Sequence, residues 1–233
     1  MDFIMKNQVN NTSKYNKIGF IFSILLTFFI FAADTNFNYF NLSQNESQKY
    51  EAKWGRGGLK RVEAANKLIS EGRNLPDLKK LEKVNNFFNQ NIVYADDFAT
   101  WGKEDYWATP LESLGKGMGN CKDYAIAKYF ALLQMGIPMN KLYLSYVKSI
   151  KYNIAHMVLT YFETPTSMPL VLCNYEPRIL PGNQRTDLIP VYSFNGEALF
   201  LAKQTGLGQA APQGINANKK WVELLQKMKD GGR

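Results

Sequence analysis

Apolar positions recur with a helical period in the middle of the chain and with a strand-like period after it. Leu78, Leu81, Val84, Phe87 and Phe88 return every three or four residues, which predicts a helix from about Pro76 to Gln90. Ala125, Ile126, Tyr129, Phe130, Leu132 and Leu133 predict a second one from about Cys121 to Met135, stopped by Gly136 and Pro138. Gly115 to Asn120, just ahead of it, reads as a glycine-rich turn. Short β-rich runs follow: Leu142 to Val147, His156 to Phe162, Leu170 to Asn174, Val191 to Phe194 and Leu199 to Leu201. Prolines 165, 169, 177 and 181 and the pair Asn195-Gly196 punctuate them, so they read as antiparallel strands joined by tight turns. Helices followed by a meander make an α+β domain.

The flanks carry other patterns. Lys6, Lys14 and Lys17 precede the apolar run Ile18 to Ala33, which holds no charge. That order is a secretory signal or, uncleaved, a membrane anchor with its basic flank inside, and assigns residues 1–33 to export. The chain from Asn36 to Gln48 is rich in Asn, Ser and Gln and reads as a polar spacer over 34–50. Basic residues between Lys53 and Lys83 alternate with Leu59, Val62, Leu68 and Ile69, the signature of a helix with one solvated face. The main domain is expected over 51–205. Loop from Gly206 and a helix from Asn218 to Met228, carrying Trp221, Leu224 and Leu225, fill 206–233.

Composition changes this picture mainly by exclusion. With 233 residues, 45% hydrophobic and 14% aromatic, the chain can bury a core and is not disordered throughout. A mean hydropathy of -0.30 excludes a multi-span membrane protein. Two cysteines exclude a disulfide scaffold, and one histidine excludes every multi-histidine metal site, leaving a Cys2His zinc cage that would use all three residues. The formal charge of +8 suits nucleic acid, an anionic membrane surface or an acidic partner. Export conflicts with nucleic acid, so none is expected as a partner.

Candidate chemistry sits where the helical and β halves meet. Gly117-Met118-Gly119-Asn120-Cys121 places Cys121 in the first turn of a helix, where unpaired N–H groups and the positive dipole end favour a thiolate. His156, the one histidine, opens a strand that could aim it at that helix end. Singly, a helical cysteine is a small hydrophobe and a strand histidine a structural residue. Together they are the minimum constellation for thiol nucleophilic catalysis.

Trp107-Ala108-Thr109-Pro110, Leu111 to Gly119, Cys121 with Asp123 and Ala125, Lys122 to Phe130, Gly136-Ile137-Pro138, Ala155 to Leu159 and Asp187 to Gly196 resemble, in one order from about Trp54 to Lys203, the bacterial transglutaminase-like cysteine proteinases, the LapG-type periplasmic adhesin proteases. The resemblance implies a transglutaminase-like, papain-like core with Cys121 and His156 catalytic. It implies a large surface adhesin as substrate, a link to biofilm attachment, and an inner-membrane cyclic-di-GMP receptor as partner. A side-chain donor such as Trp107 would join the helix-start N–H groups at the oxyanion.

Two departures follow from the same comparison. The family places its third catalytic residue, an aspartate, in Val-Leu-Asp-Asn, whereas this chain reads Val171-Leu172-Cys173-Asn174. Cys173 then stands in that position, with Asn174 as an alternative orienter if the strand bulges. The family flanks its cysteine as Gly-Asp-Cys-Glu-Asp, which the resemblance associates with calcium, but here Asn120, Lys122 and Asp123 stand there. The Lys122 ammonium opposes a dication, so no cofactor is expected, and it would favour a Cys121 thiolate. Three function classes remain from sequence: a cysteine endopeptidase, a pseudo-protease that binds without turnover, and a transglutaminase joining Gln and Lys side chains.

Overall fold

The structure is a computed structural model and describes residues 39–201, 206–212 and 214–231. The expected signal or anchor over 1–33 lies outside the described residues. Helix α1 (Gln44–Gly72) starts at Ser43, whose hydroxyl accepts from the Glu46 amide while Glu46 returns to the Ser43 amide. It kinks at Gly55, where φ is +75°. Helix α2 (Asp77–Asn91) follows, and the chain then runs through β1 (Val93–Tyr94), α3 (Asp97–Trp101), α4 (Pro110–Lys116) and β2 (Met118–Gly119). Helix α5 (Cys121–Gln134) is the central element, and almost every residue from Lys122 to Leu132 is buried. A helix covered on all sides shows little amphipathic bias, which explains its dense apolar run.

The second half is a six-stranded antiparallel sheet of β3 (Leu142–Ser149), β4 (Ile154–Tyr161), β5 (Leu170–Leu172), β6 (Leu180–Pro181), β7 (Leu188–Phe194) and β8 (Leu199–Leu201), in the spatial order β6-β5-β4-β3-β7-β8. Its alternation sorts side chains onto two faces. Leu142, Leu144, Met157, Leu159 and Tyr161 join the helical core, whereas Val147, Val158, Val171 and Cys173 form a separate cluster. β5 ends at Leu172, so the chain leaves the sheet just where Cys173 begins.

The main expectation, an α+β body with helices first and a meander after, matches the architecture. Four details differ. The polar spacer is partly helical, because α1 begins at Gln44, and Phe40 and Tyr50 are core residues. The basic stretch from Lys53 to Lys83 is two helices, because Pro76 cannot continue α1. The glycine-rich turn is instead the end of α4 plus β2: Gly117 closes α4 with φ +66°, and β2 pairs in parallel with β1. The domain does not stop at 205, since α6 (Lys219–Lys229) buries Trp221 against Tyr129, Phe130 and Phe194.

Candidate active site

Asn120 starts α5, and this is what places Cys121. Its side-chain oxygen accepts from the Lys122 amide at 3.3 Å, and the Asp123 carboxylate accepts from the Asn120 amide at 2.9 Å. Asp123 also takes the Ala108 amide at 3.3 Å, which ties the segment before α4 to the same helix end. Gly119 must be glycine here, because an added Cβ would lie 2.9 Å from the Asp123 carboxylate. Cys121 is therefore the first residue of α5, partly exposed, at the edge of the core.

Across from it, the Cys121 sulfur receives the backbone N–H of Met157, the residue after His156 in β4. His156 is 1% exposed. Its Nε2 lies 3.2 Å from the Cys173 sulfur, which also accepts the Tyr175 amide at 3.3 Å. An Nε2–H tautomer gives that sulfur a second donor and leaves the Nδ1 lone pair free. Nδ1 has no hydrogen-bond partner among the described residues. This is the nitrogen available to take a proton from an incoming thiol.

Cys173 does sit against the imidazole. Asn174 does not orient it: its side-chain oxygen is buried without a partner among the described residues, and His156 Nε2 faces Cys173 instead. Trp107 donates its indole N–H to Asp105 at 3.0 Å, so that donor is committed away from the oxyanion role expected of it.

Contrary to the expectation from the helix end, Cys121 does not rest as a thiolate. Burial pushes the Cys121 thiol up to about 11, against the opposing pull of the Met157 amide, the Lys122 ammonium and the Lys122 amide. Burial likewise takes His156 down to about 4; the positive charges of Arg185 and Lys128 add to this, and Asp187 opposes it. Both groups are therefore neutral near pH 7, a thiol beside an imidazole and not an ion pair. Iodoacetamide, which consumes thiolate, should then alkylate Cys121 slowly at neutral pH, with a rate rising about tenfold per pH unit toward the alkaline range. Peptide mapping locates the label, and fast, pH-independent labelling below pH 7 would show a preformed thiolate.

Several positioning residues carried no sequence signal. The Tyr175 ring stacks on His156 with centroids 4.2 Å apart and planes 8° apart, and its hydroxyl meets that of Tyr94 at 3.3 Å. Arg185, buried, chelates Asp187 with two 2.8 Å bonds and approaches the Cys173 sulfur at 3.9 Å. From α2, Asn89 donates to the Cys173 carbonyl at 3.0 Å and Asn85 to the Pro177 carbonyl at 2.7 Å. Both asparagines in turn accept from the buried Lys128 ammonium at 2.8 Å. The segment bearing Cys173 and Tyr175 is thus clamped by α2 and α5 where β5 has ended.

The profile of the family described as bacterial transglutaminase-like cysteine proteinase matches residues 62–187, more than half of the chain. This chain belongs to that family. The solved structure of Legionella pneumophila LapG is 39% identical over 80% of this chain and 98% of its own, with a TM-score of 0.68. An EGTA-treated form of that protein matches at 40% identity, 80% and 98% coverage and TM-score 0.68, and a calcium-bound form at 40%, 80% and 99% with TM-score 0.67. No curated protein matches at a significant level. As a transglutaminase-like cysteine proteinase, the chain is a thiol protease by family, and the fold around Cys121 and His156 is the family fold.

The residues at the start of α5 do not fit calcium, which one LapG structure contains. Lys122 Nζ lies 2.7 and 2.6 Å from the two Asp97 oxygens and 3.0 Å from Asn120 Oδ1. Asp123 is taken up by the Asn120 and Ala108 amides. The oxygens a dication would need already hold a cation or a helix end.

Proposed function

We propose that this chain is a periplasmic cysteine endopeptidase that cuts the N-terminal region of a large surface adhesin and so controls biofilm attachment. The observation that carries the reading is the arrangement at the head of α5: a partly exposed Cys121 beside β4, and a buried His156 whose Nε2 is occupied and whose Nδ1 is free among the described residues. In this mechanism substrate binding brings the scissile carbonyl to Cys121. Nδ1 of His156 takes the thiol proton as sulfur attacks, and returns it to the leaving amine. The tetrahedral oxyanion is stabilised by backbone N–H at the first turn of α5. Water then attacks the thioester, with His156 again as base, and releases the new carboxylate. Because thiol and imidazole both start neutral, proton transfer accompanies attack.

The family supports the proteolytic chemistry, and the apolar run before residue 34 supports export and a tether to the inner membrane. The adhesin and a cyclic-di-GMP receptor in that membrane are the partners proposed with it. One observation favours a second reading, a binding module with little turnover: a sulfur replaces the carboxylate that would support imidazolium. Incubating the protein with N-terminal fragments of the host's large surface adhesins decides between them. A discrete cut that thiol alkylation abolishes supports the protease. Fragment binding without any cut favours the module.

A further inference from the structure

At the start of α5 three oxygens converge on one nitrogen. Both carboxylate oxygens of Asp97 and the side-chain oxygen of Asn120 lie 2.6–3.0 Å from Lys122 Nζ, and the Lys122 and Asp97 side chains are 8% and 10% exposed. An ammonium has three donors, and here each has an acceptor. The acceptors come from different elements: Asp97 opens α3, and Asn120 is the N-cap residue of α5. The cation therefore pins α3 to the turn that positions Cys121. We propose that Lys122 is a resident, covalently tethered cation that does the bridging work of a bound divalent ion, and that it makes the fold and site of this chain independent of calcium.

Charge arithmetic supports this. A dication entering beside Lys122 would meet one carboxylate already neutralised by the ammonium, and an Asp123 carboxylate already accepting two amides. Calcium takes six to eight oxygens and gains most where carboxylates outnumber cations. Removing the ammonium reverses the balance. Lys122→Glu would put a third carboxylate against Asp97 and the Asn120 side-chain oxygen, on the same helix turn as Asp123. Those four groups are the beginning of a calcium site, and without calcium they repel one another. The idea rests on the pairing alone and not on the identity of the substrate.

The test is thermal unfolding of the full chain in EGTA and in millimolar calcium, with calcium calorimetry on the same samples. Wild type should unfold at the same temperature in both and bind no calcium tightly. Lys122→Met keeps the apolar stem but strands Asp97, and should unfold roughly 6–20 °C lower with or without calcium. Lys122→Glu should also be weakened in EGTA, but recover by several degrees in calcium, as expected when a ligand binds only the native state. A calcium-dependent shift or micromolar binding in wild type overturns the proposal, and that measurement needs no variant to fold. So does a Lys122→Met protein as stable as wild type, or a folded Lys122→Glu protein indifferent to calcium. None of these readings involves cleavage, so failure here leaves the protease reading standing, and absence of cleavage leaves this one.

Discussion

Replacing Cys121 by alanine is expected to lower cleavage of the proposed adhesin substrate by about 10⁴-fold or more, since removing the nucleophile of a thiol or serine protease leaves only binding and oxyanion stabilisation. The change deletes one sulfur atom at a partly exposed helix start, so stability should move by only about 1 kcal/mol, visible as a small change in melting temperature. The informative contrast is with the other cysteine. Cys173 is 1% exposed and faces His156 Nε2, so Cys173→Ala removes a support for the imidazole and not the attacking atom. It should retain measurable cleavage and a label at Cys121 from a thiol-reactive peptide. Cleavage at the wild-type rate by Cys121→Ala would refute the assignment of the nucleophile.

Cys173→Asp should act in the opposite direction and raise the cleavage rate about ten- to a thousandfold. The place is prepared for a carboxylate. His156 Nε2 and the Tyr175 amide both reach the sulfur, and the Arg185 Nη1, buried without a partner among the described residues, adds a donor nearby. A carboxylate there would accept these bonds and support the charge His156 acquires when it takes the thiol proton. It would also raise the His156 pKa from about 4, because an adjacent anion favours the protonated ring. The acid limb of kcat/KM, set by protonation of that base in the free enzyme, should move upward in the variant. Unchanged rate and an unmoved acid limb would show that position 173 does not act through His156.

Much of this site was legible because it rests on local signals. The helix from Cys121 and the strand that carries His156 announce themselves by apolar spacing, and the glycines before Cys121 mark a tight entry. Helix α4 was less visible: seven residues are too few to show a period, although Thr109 and Glu112 form a capping box at its start. What sequence could not carry is contact between distant residues. The Tyr175 ring over His156, the Asn89 bond to Cys173 and the Asp97 partner of Lys122 each join segments 19 to 84 residues apart. The thiol's protonation failed for a related reason. The dipole at a helix end can be read from neighbours in the chain, but the burial that outweighs it is set by residues distant in the chain that pack around the helix start.

The docking of α6 bears on when this protein can finish folding. Trp221 is fully buried, with its ring stacked on Phe130 at 5.7 Å and edge-on to Tyr129. A nascent chain that has reached only the end of β8 has every strand of its sheet, yet leaves one side of α5 without its cover. Aromatic surface of that kind is aggregation-prone and is what chaperones hold. The chain through β8 is therefore expected to stay soft and exposed along that side of α5, and to close once α6 docks there.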